Sequence, residues 1–120
     1  MRTDPKSYIE FSVHVAPAGG GGTDVAIFGE LDLATVGEVE AALEEAIARE
    51  GRVVIDMRAC TFVDSRGIAA LVKAALRLRA EDRDVLIEGV QERVMATFER
   101  AGITDMDHLE VHPRERRSDT

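Results

Sequence analysis

A chain of 120 residues, 45% of them hydrophobic, has the size and apolar content of one folded domain with one core, which excludes a wholly disordered polymer. Aromatic residues are 4% and Trp is absent, so that core is aliphatic, built from Val, Leu, Ile and Ala. The formal net charge of -8 opposes binding to nucleic acid and docking on anionic lipid, each of which needs a basic footprint, and it suits a basic protein partner.

Residues 1–7 are polar, include Pro5 and read as a loose N-terminus. No apolar signal core follows Met1 to Lys6, and no apolar run approaches the ~20 residues of a membrane span. The single cysteine, Cys60, allows no internal disulfide and suggests a reducing compartment. The expectation is a soluble cytoplasmic protein with no direct membrane insertion. From Tyr8 the pattern alternates: Ile9, Phe11, Val13 and Val15 point one way, and Glu10, Ser12 and His14 the other, which predicts a half-buried strand. Pro17-Ala18 and the four glycines Gly19 to Gly22 then read as a hairpin tip; no Lys-Ser/Thr pair follows them, so they do not form a phosphate loop. Asp24 to Leu31 is the second strand, with Val25, Ile27 and Leu31 on one face.

Asp32 or Thr35 could cap the helix that follows, whose apolar stripe is Val36, Val39, Leu43 and Ile47 and whose C-terminal cap is read as Gly51. Val53-Val54-Ile55 is short, apolar and β-branched, which predicts a buried third strand, then a short loop and the first turn of a second helix. Asp64 or Ser65 is the N-cap there. Ile68, Leu71, Val72, Ala75 and Leu76 carry that helix to about Ala80 at helical spacing. Val85-Leu86-Ile87 is a fourth strand, parallel to the third because a helix separates them. Gln91 to Ala101 is a third helix with Val94, Met95 and Phe98 inward and Gly102 at its end. Ile103, Met106 and Leu109 give a short final strand or an extended packed segment, and residues 113–120 form a charged tail predicted to be disordered. The sum is an α/β fold: a mixed β-sheet of four to five strands with an N-terminal β-hairpin and helices packed against it.

Chemistry-bearing residues are few. His14 lies on the polar side of an edge-like strand, His108 and His112 lie near the C-terminus, and none has ligands at metal spacing. Cys60 sits in an apolar segment without a neighbouring His or Lys, as a small buried hydrophobe would. No nucleophile–base set, nucleotide-binding glycine motif or zinc site is present, so neither an enzyme nor a cofactor is expected, and a small nucleotide-binding protein ranks well below an interaction module. What stands out is Ser65 at a helix start, where free amides and the macrodipole tolerate negative charge. Asp32 closes the second strand and Asp64 precedes the serine; in an open α/β sheet such strand ends gather on one edge.

Gly29-Glu30-Leu31-Asp32 before a helix, then Val54-Ile55-Asp56 and Phe62-Val63-Asp64-Ser65-Arg66-Gly67-Ile68, resemble the STAS domain, and more narrowly the bacterial anti-sigma factor antagonists. The resemblance spans residues 8–112 and implies a single STAS-like domain there. It also implies that Ser65 is phosphorylated by a partner that is both a serine kinase and an anti-sigma factor. The unmodified antagonist would bind that partner and free the sigma factor, and a serine phosphatase would reset the cycle. The implied docking surface is Asp32, Asp64, Ser65, Arg66 and Gly67, with Ala69 and Ala70 as a low-relief continuation. A phosphate adds about -1.5 to -2 charges at pH 7, which a partner surface built for a neutral serine would not accommodate beside Asp64. Arg66 departs from the small residue that many members carry there. It could obstruct a kinase, pair with the phosphate or select a partner acid. It also favours the alternative of a never-phosphorylated STAS interaction subunit, in a signalling scaffold or a membrane lipid transporter.

Overall fold

A computed structural model of the chain describes residues 9–115. Strands β1 (Ser12–Pro17) and β2 (Thr23–Leu31) are followed by helix α1 (Val36–Ile47), strand β3 (Val53–Val63) and helix α2 (Ser65–Ala80). Strand β4 (Val85–Val90), helix α3 (Glu92–Ala101), a single 3-10 turn (Ile103–Asp105) and strand β5 (Leu109–Pro113) complete the order. The five strands form one sheet in the order β1-β2-β3-β4-β5. The β1–β2 hairpin is antiparallel, and the β2–β3, β3–β4 and β4–β5 pairs are parallel, as their intervening helices require. This is the mixed sheet with an N-terminal hairpin expected from the sequence.

Alternation in β2 buries Val25, Ile27 and Leu31, and the parallel register places Val53, Ile55 and Met57 of β3 and Val85 and Ile87 of β4 among the same buried set. Val39 and Leu43 of α1, Leu71 and Leu78 of α2, and Val94 and Phe98 of α3 join these side chains in one continuous core. The three helices therefore cover one face of the sheet. On the other face Arg58 pairs with Asp56 at 3.2 Å and Glu88 at 3.4 Å, an exposed ion cluster that contributes little stability.

Several boundaries differ from the sequence reading. β1 begins at Ser12, and the expected start at Tyr8 with the loose residues 1–7 lies outside the described residues. The loop expected after Ile55 is strand: β3 continues through Cys60 to Val63, so one residue, Asp64, separates it from α2. Leu76, read as inward, is 42% exposed. Pro113 closes β5 and the Arg114 amide donates to the Val90 carbonyl at 2.7 Å, so the ordered chain runs past the predicted start of the tail; residues 116–120 lie outside the described residues.

Gly51 is not the cap of α1, which ends at Ile47. The exposed carbonyls there are held by Arg83, whose guanidinium donates to Ile47 O (2.9 Å), Gly51 O (3.1 Å) and Arg49 O. A cation at a helix C-terminus also meets the negative end of the macrodipole. Gly51 instead lies against Gly22, where the two connections cross at the foot of the sheet.

Candidate functional site

The site is assembled by the pairing of β2 with β3. Leu31 and Val63 are register partners at the C-terminal ends of the two strands, and the Asp64 amide donates to the Leu31 carbonyl at 3.1 Å. Asp32 and Asp64 thus leave the sheet side by side, and Ser65 follows directly.

The capping ambiguity resolves in favour of Asp64. Its Oδ1 accepts from the Arg66 amide at 2.9 Å and the Gly67 amide at 3.1 Å, and its carbonyl accepts from the Ile68 amide at 3.0 Å. Ser65 is the first helical residue, is exposed, and its hydroxyl has no hydrogen-bond partner among the described residues. Of the helix amides expected to tolerate charge on Ser65, Asp64 occupies two, those of Arg66 and Gly67. Asp64→Ala should destabilise the fold by about 1 kcal/mol, the usual worth of an N-cap. That should appear as a melting temperature lower by about 4 °C in a calorimetric scan.

Asp32 holds the entrance to α1. Its Oδ1 accepts from the amides of Ala34 (3.0 Å) and Thr35 (3.3 Å). The Thr35 hydroxyl accepts from the Asp32 amide at 2.9 Å and donates to the Glu30 carbonyl at 2.8 Å. Thr35 occupies the N-cap position, but its side chain caps no helix amide. The carboxylate of Asp32 is half-buried and engaged in shaping this turn.

Of the other expected contact residues, Arg66 and Ala69 are exposed, and Arg66 makes no ion pair among the described residues. Gly67 and Ala70 are buried. A Cβ on Gly67 would stand 2.6 Å from Leu31 Cγ and 2.8 Å from Val63 Cγ1, so the glycine is what lets α2 start so close to the strand ends. Sequence reasoning did not single out two apolar residues of this edge, Leu33 and Phe62, which are 62% and 41% exposed. The available signal was Leu33 inside a polar turn, Asp32 to Thr35.

Cys60 is fully buried, and desolvation pushes its thiol up to about 11, against weaker stabilisation from the backbone at Phe62 and Leu31, so it stays protonated and unreactive at neutral pH. The His108 ring faces Asp84 at 2.9 Å and Asp82 at 3.4 Å, and His112 faces Glu110 at 3.1 Å. Among the described residues, no group of three or more His, Cys, Asp or Glu side chains could hold a metal ion, and no helix is long and apolar enough to cross a membrane.

Comparison with known proteins agrees with this geometry. A family model described as the STAS domain matches residues 16–116. An anti-sigma-B factor antagonist of Listeria monocytogenes is 32% identical over 84 residues, 69% of this chain and 74% of that one. The crystal structure of an antisigma-factor antagonist, a STAS domain from Rhodobacter sphaeroides, superposes with a TM-score of 0.53 at 32% identity, covering 66% of this chain and 86% of that chain. The phosphorylated form of the Bacillus cell fate determinant SpoIIAA superposes with a TM-score of 0.65 at 17% identity, covering 83% and 90%, which is a likeness of fold.

Proposed function

The chain belongs to the STAS domain family, and we propose that it acts as an anti-sigma factor antagonist whose docking edge is switched by phosphorylation of Ser65. The observation that carries the reading is the position of Ser65: an exposed hydroxyl with no hydrogen-bond partner among the described residues, beside the paired ends of β2 and β3. A hydroxyl that holds nothing in place can be modified and restored without disturbing the fold. The existence of a phosphorylated form of a protein sharing this fold supports the same reading.

The partner would be an anti-sigma factor with serine kinase activity. The γ-phosphoryl group of ATP would pass to Ser65 Oγ, the hydroxyl proton would leave, and ADP would be released. This chain supplies the acceptor and its placement, and the kinase supplies the catalytic groups. Hydrolysis of the phosphoester by a serine phosphatase, with water as co-substrate, would return the hydroxyl.

The test is to incubate the protein with the kinase-type anti-sigma factors of its source organism and ATP, and to map the product by mass spectrometry. A single phosphate on Ser65 is the expected result. An unmodified Ser65, with the same kinases active on another substrate, would count against the switch. Recovery of the protein with transporter ATPase subunits in that case would favour a constitutive interaction subunit, for which the exposed Arg66, without an ion pair among the described residues, is the supporting feature.

A further inference from the structure

Resting on the reading of the Ser65 edge as a docking surface, we propose that Leu33 and Phe62 are its apolar anchors. The anti-sigma partner would meet them with an apolar, water-excluding face. Both lie within two residues of the Leu31–Val63 register pair, as Ser65 does. Leu33 is at 62% the most exposed large hydrophobic residue among the described residues, and it occupies the tip of the turn locked by Asp32 and Thr35. Turn tips ordinarily carry Gly, Asn, Asp or Ser, and a leucine there is left largely exposed among the described residues. The turn that fixes its backbone removes part of the ordering entropy that binding would otherwise have to overcome. Phe62 is opposite Glu30 in the register, on the strand that leads into Ser65.

The occupant follows from charge. Among the described residues, Glu30, Asp32 and Asp64 share this edge with one cation, Arg66. A second copy docked face to face would set those carboxylates against their own counterparts. Nucleic acid and anionic lipid are repelled by a chain of net charge -8. A protein with an apolar contact face remains. Such a contact explains how modification would release the partner. A phosphate added among dry apolar anchors loses its water, and two α2 amides are already taken by Asp64, which leaves the Ser65 amide and Arg66 as its local donors. Release is then governed by desolvation, which salt does not screen.

The probe is the purified kinase-type anti-sigma factor that labels Ser65, loaded with ADP so that no phosphate moves, with affinity read by calorimetry. Leu33→Ala and Phe62→Thr, the latter keeping strand propensity, should each raise Kd by about tenfold and together by about a hundredfold. Leu76→Ala, at a leucine as exposed as Phe62 and about 16 Å along α2 from Ser65, should leave Kd within about twofold. Raising salt to about 0.5 M, where screening shrinks below 5 Å, should not restore binding of the phosphorylated form. Thermal melts of each variant confirm that it is folded.

If Leu33→Ala and Phe62→Thr bind like the unaltered protein while Ser65→Asp does not, the anchors are wrong and the antagonist reading stands. If high salt restores the phosphorylated complex, the dry contact is wrong. If the free protein self-associates in sedimentation and Leu33→Ala abolishes it, the occupant is a second copy and the proposal is overturned. If no such anti-sigma factor labels Ser65, the reading beneath the proposal falls with it.

Discussion

Ser65→Asp should weaken binding to the anti-sigma partner by roughly a hundredfold, about 3 kcal/mol, while Ser65→Ala keeps it within about twofold. The asymmetry comes from what surrounds the hydroxyl. Two of the first-turn amides of α2 are committed to Asp64, so a new anion at position 65 finds fewer donors there and meets the Asp64 carboxylate as well. It must be borne by the contact itself. Neither variant should move the melting temperature by more than about 2 °C, because a surface substitution away from a cap or a core is worth less than about 0.5 kcal/mol. Titration of each purified variant with the partner, beside a calorimetric scan of each, checks both halves. Equal affinities for the two variants would refute the charge argument, and a large loss of stability in Ser65→Ala would refute the assignment of the cap to Asp64.

The second large effect lies at the opposite end of the sheet. Gly22→Ala should destabilise the fold by about 4 kcal/mol, combining left-handed backbone strain with a clash that cannot relax. Gly22 has φ near +95°, and a Cβ there would stand 2.3 Å from the Arg52 carbonyl oxygen. That oxygen accepts from the Thr23 amide at 2.9 Å, the bond beside the first register pair of β2 with β3, Thr23 with Val53. The obstacle is backbone on both sides, since Gly51 Cβ, if present, would sit 3.0 Å from Gly22 Cα. The expected drop in melting temperature is about 15 °C. Gly19→Ala is the contrast: no atom lies within 4 Å of its would-be Cβ, and its φ is not left-handed, so the change should be neutral or slightly stabilising. Affinity for the partner, measured below the transition, should be unaltered in both.

The elements whose burial is periodic were legible from the sequence. β2, α1 and α3 each present their core residues at the spacing of the local geometry, and the hairpin declared itself through its glycines. β3 was cut short for a physical reason. Opposite Ala26 to Phe28 of β2, β3 runs from Asp56 to Ala59, and opposite Gly29 to Glu30 it runs from Cys60 to Phe62, so it takes in an extra residue at each place. Each irregularity flips the inward–outward parity, and a strand with flipped parity reads as a loop. Arg83 was invisible because the carbonyls it holds include one 36 residues away. At the site, the Asp-Ser-Arg-Gly run pointed to the right place. Which side chain caps and which is idle depended on rotamer and burial, and so did the burial of Gly67 and Ala70, whose small size had suggested an open surface.

The division of labour between Asp64 and Ser65 has a consequence for how long a signal would last. Because Asp64 and not Ser65 makes the cap, both forms would keep the Asp64 bonds to the Arg66 and Gly67 amides, and proteases would clear them at similar rates. Degradation would thin both populations alike and leave their ratio untouched. The memory written on Ser65 would then decay only through enzymes that act on the phosphoester, and the proportion of free antagonist would report the balance of kinase and phosphatase whatever the protein's own lifetime.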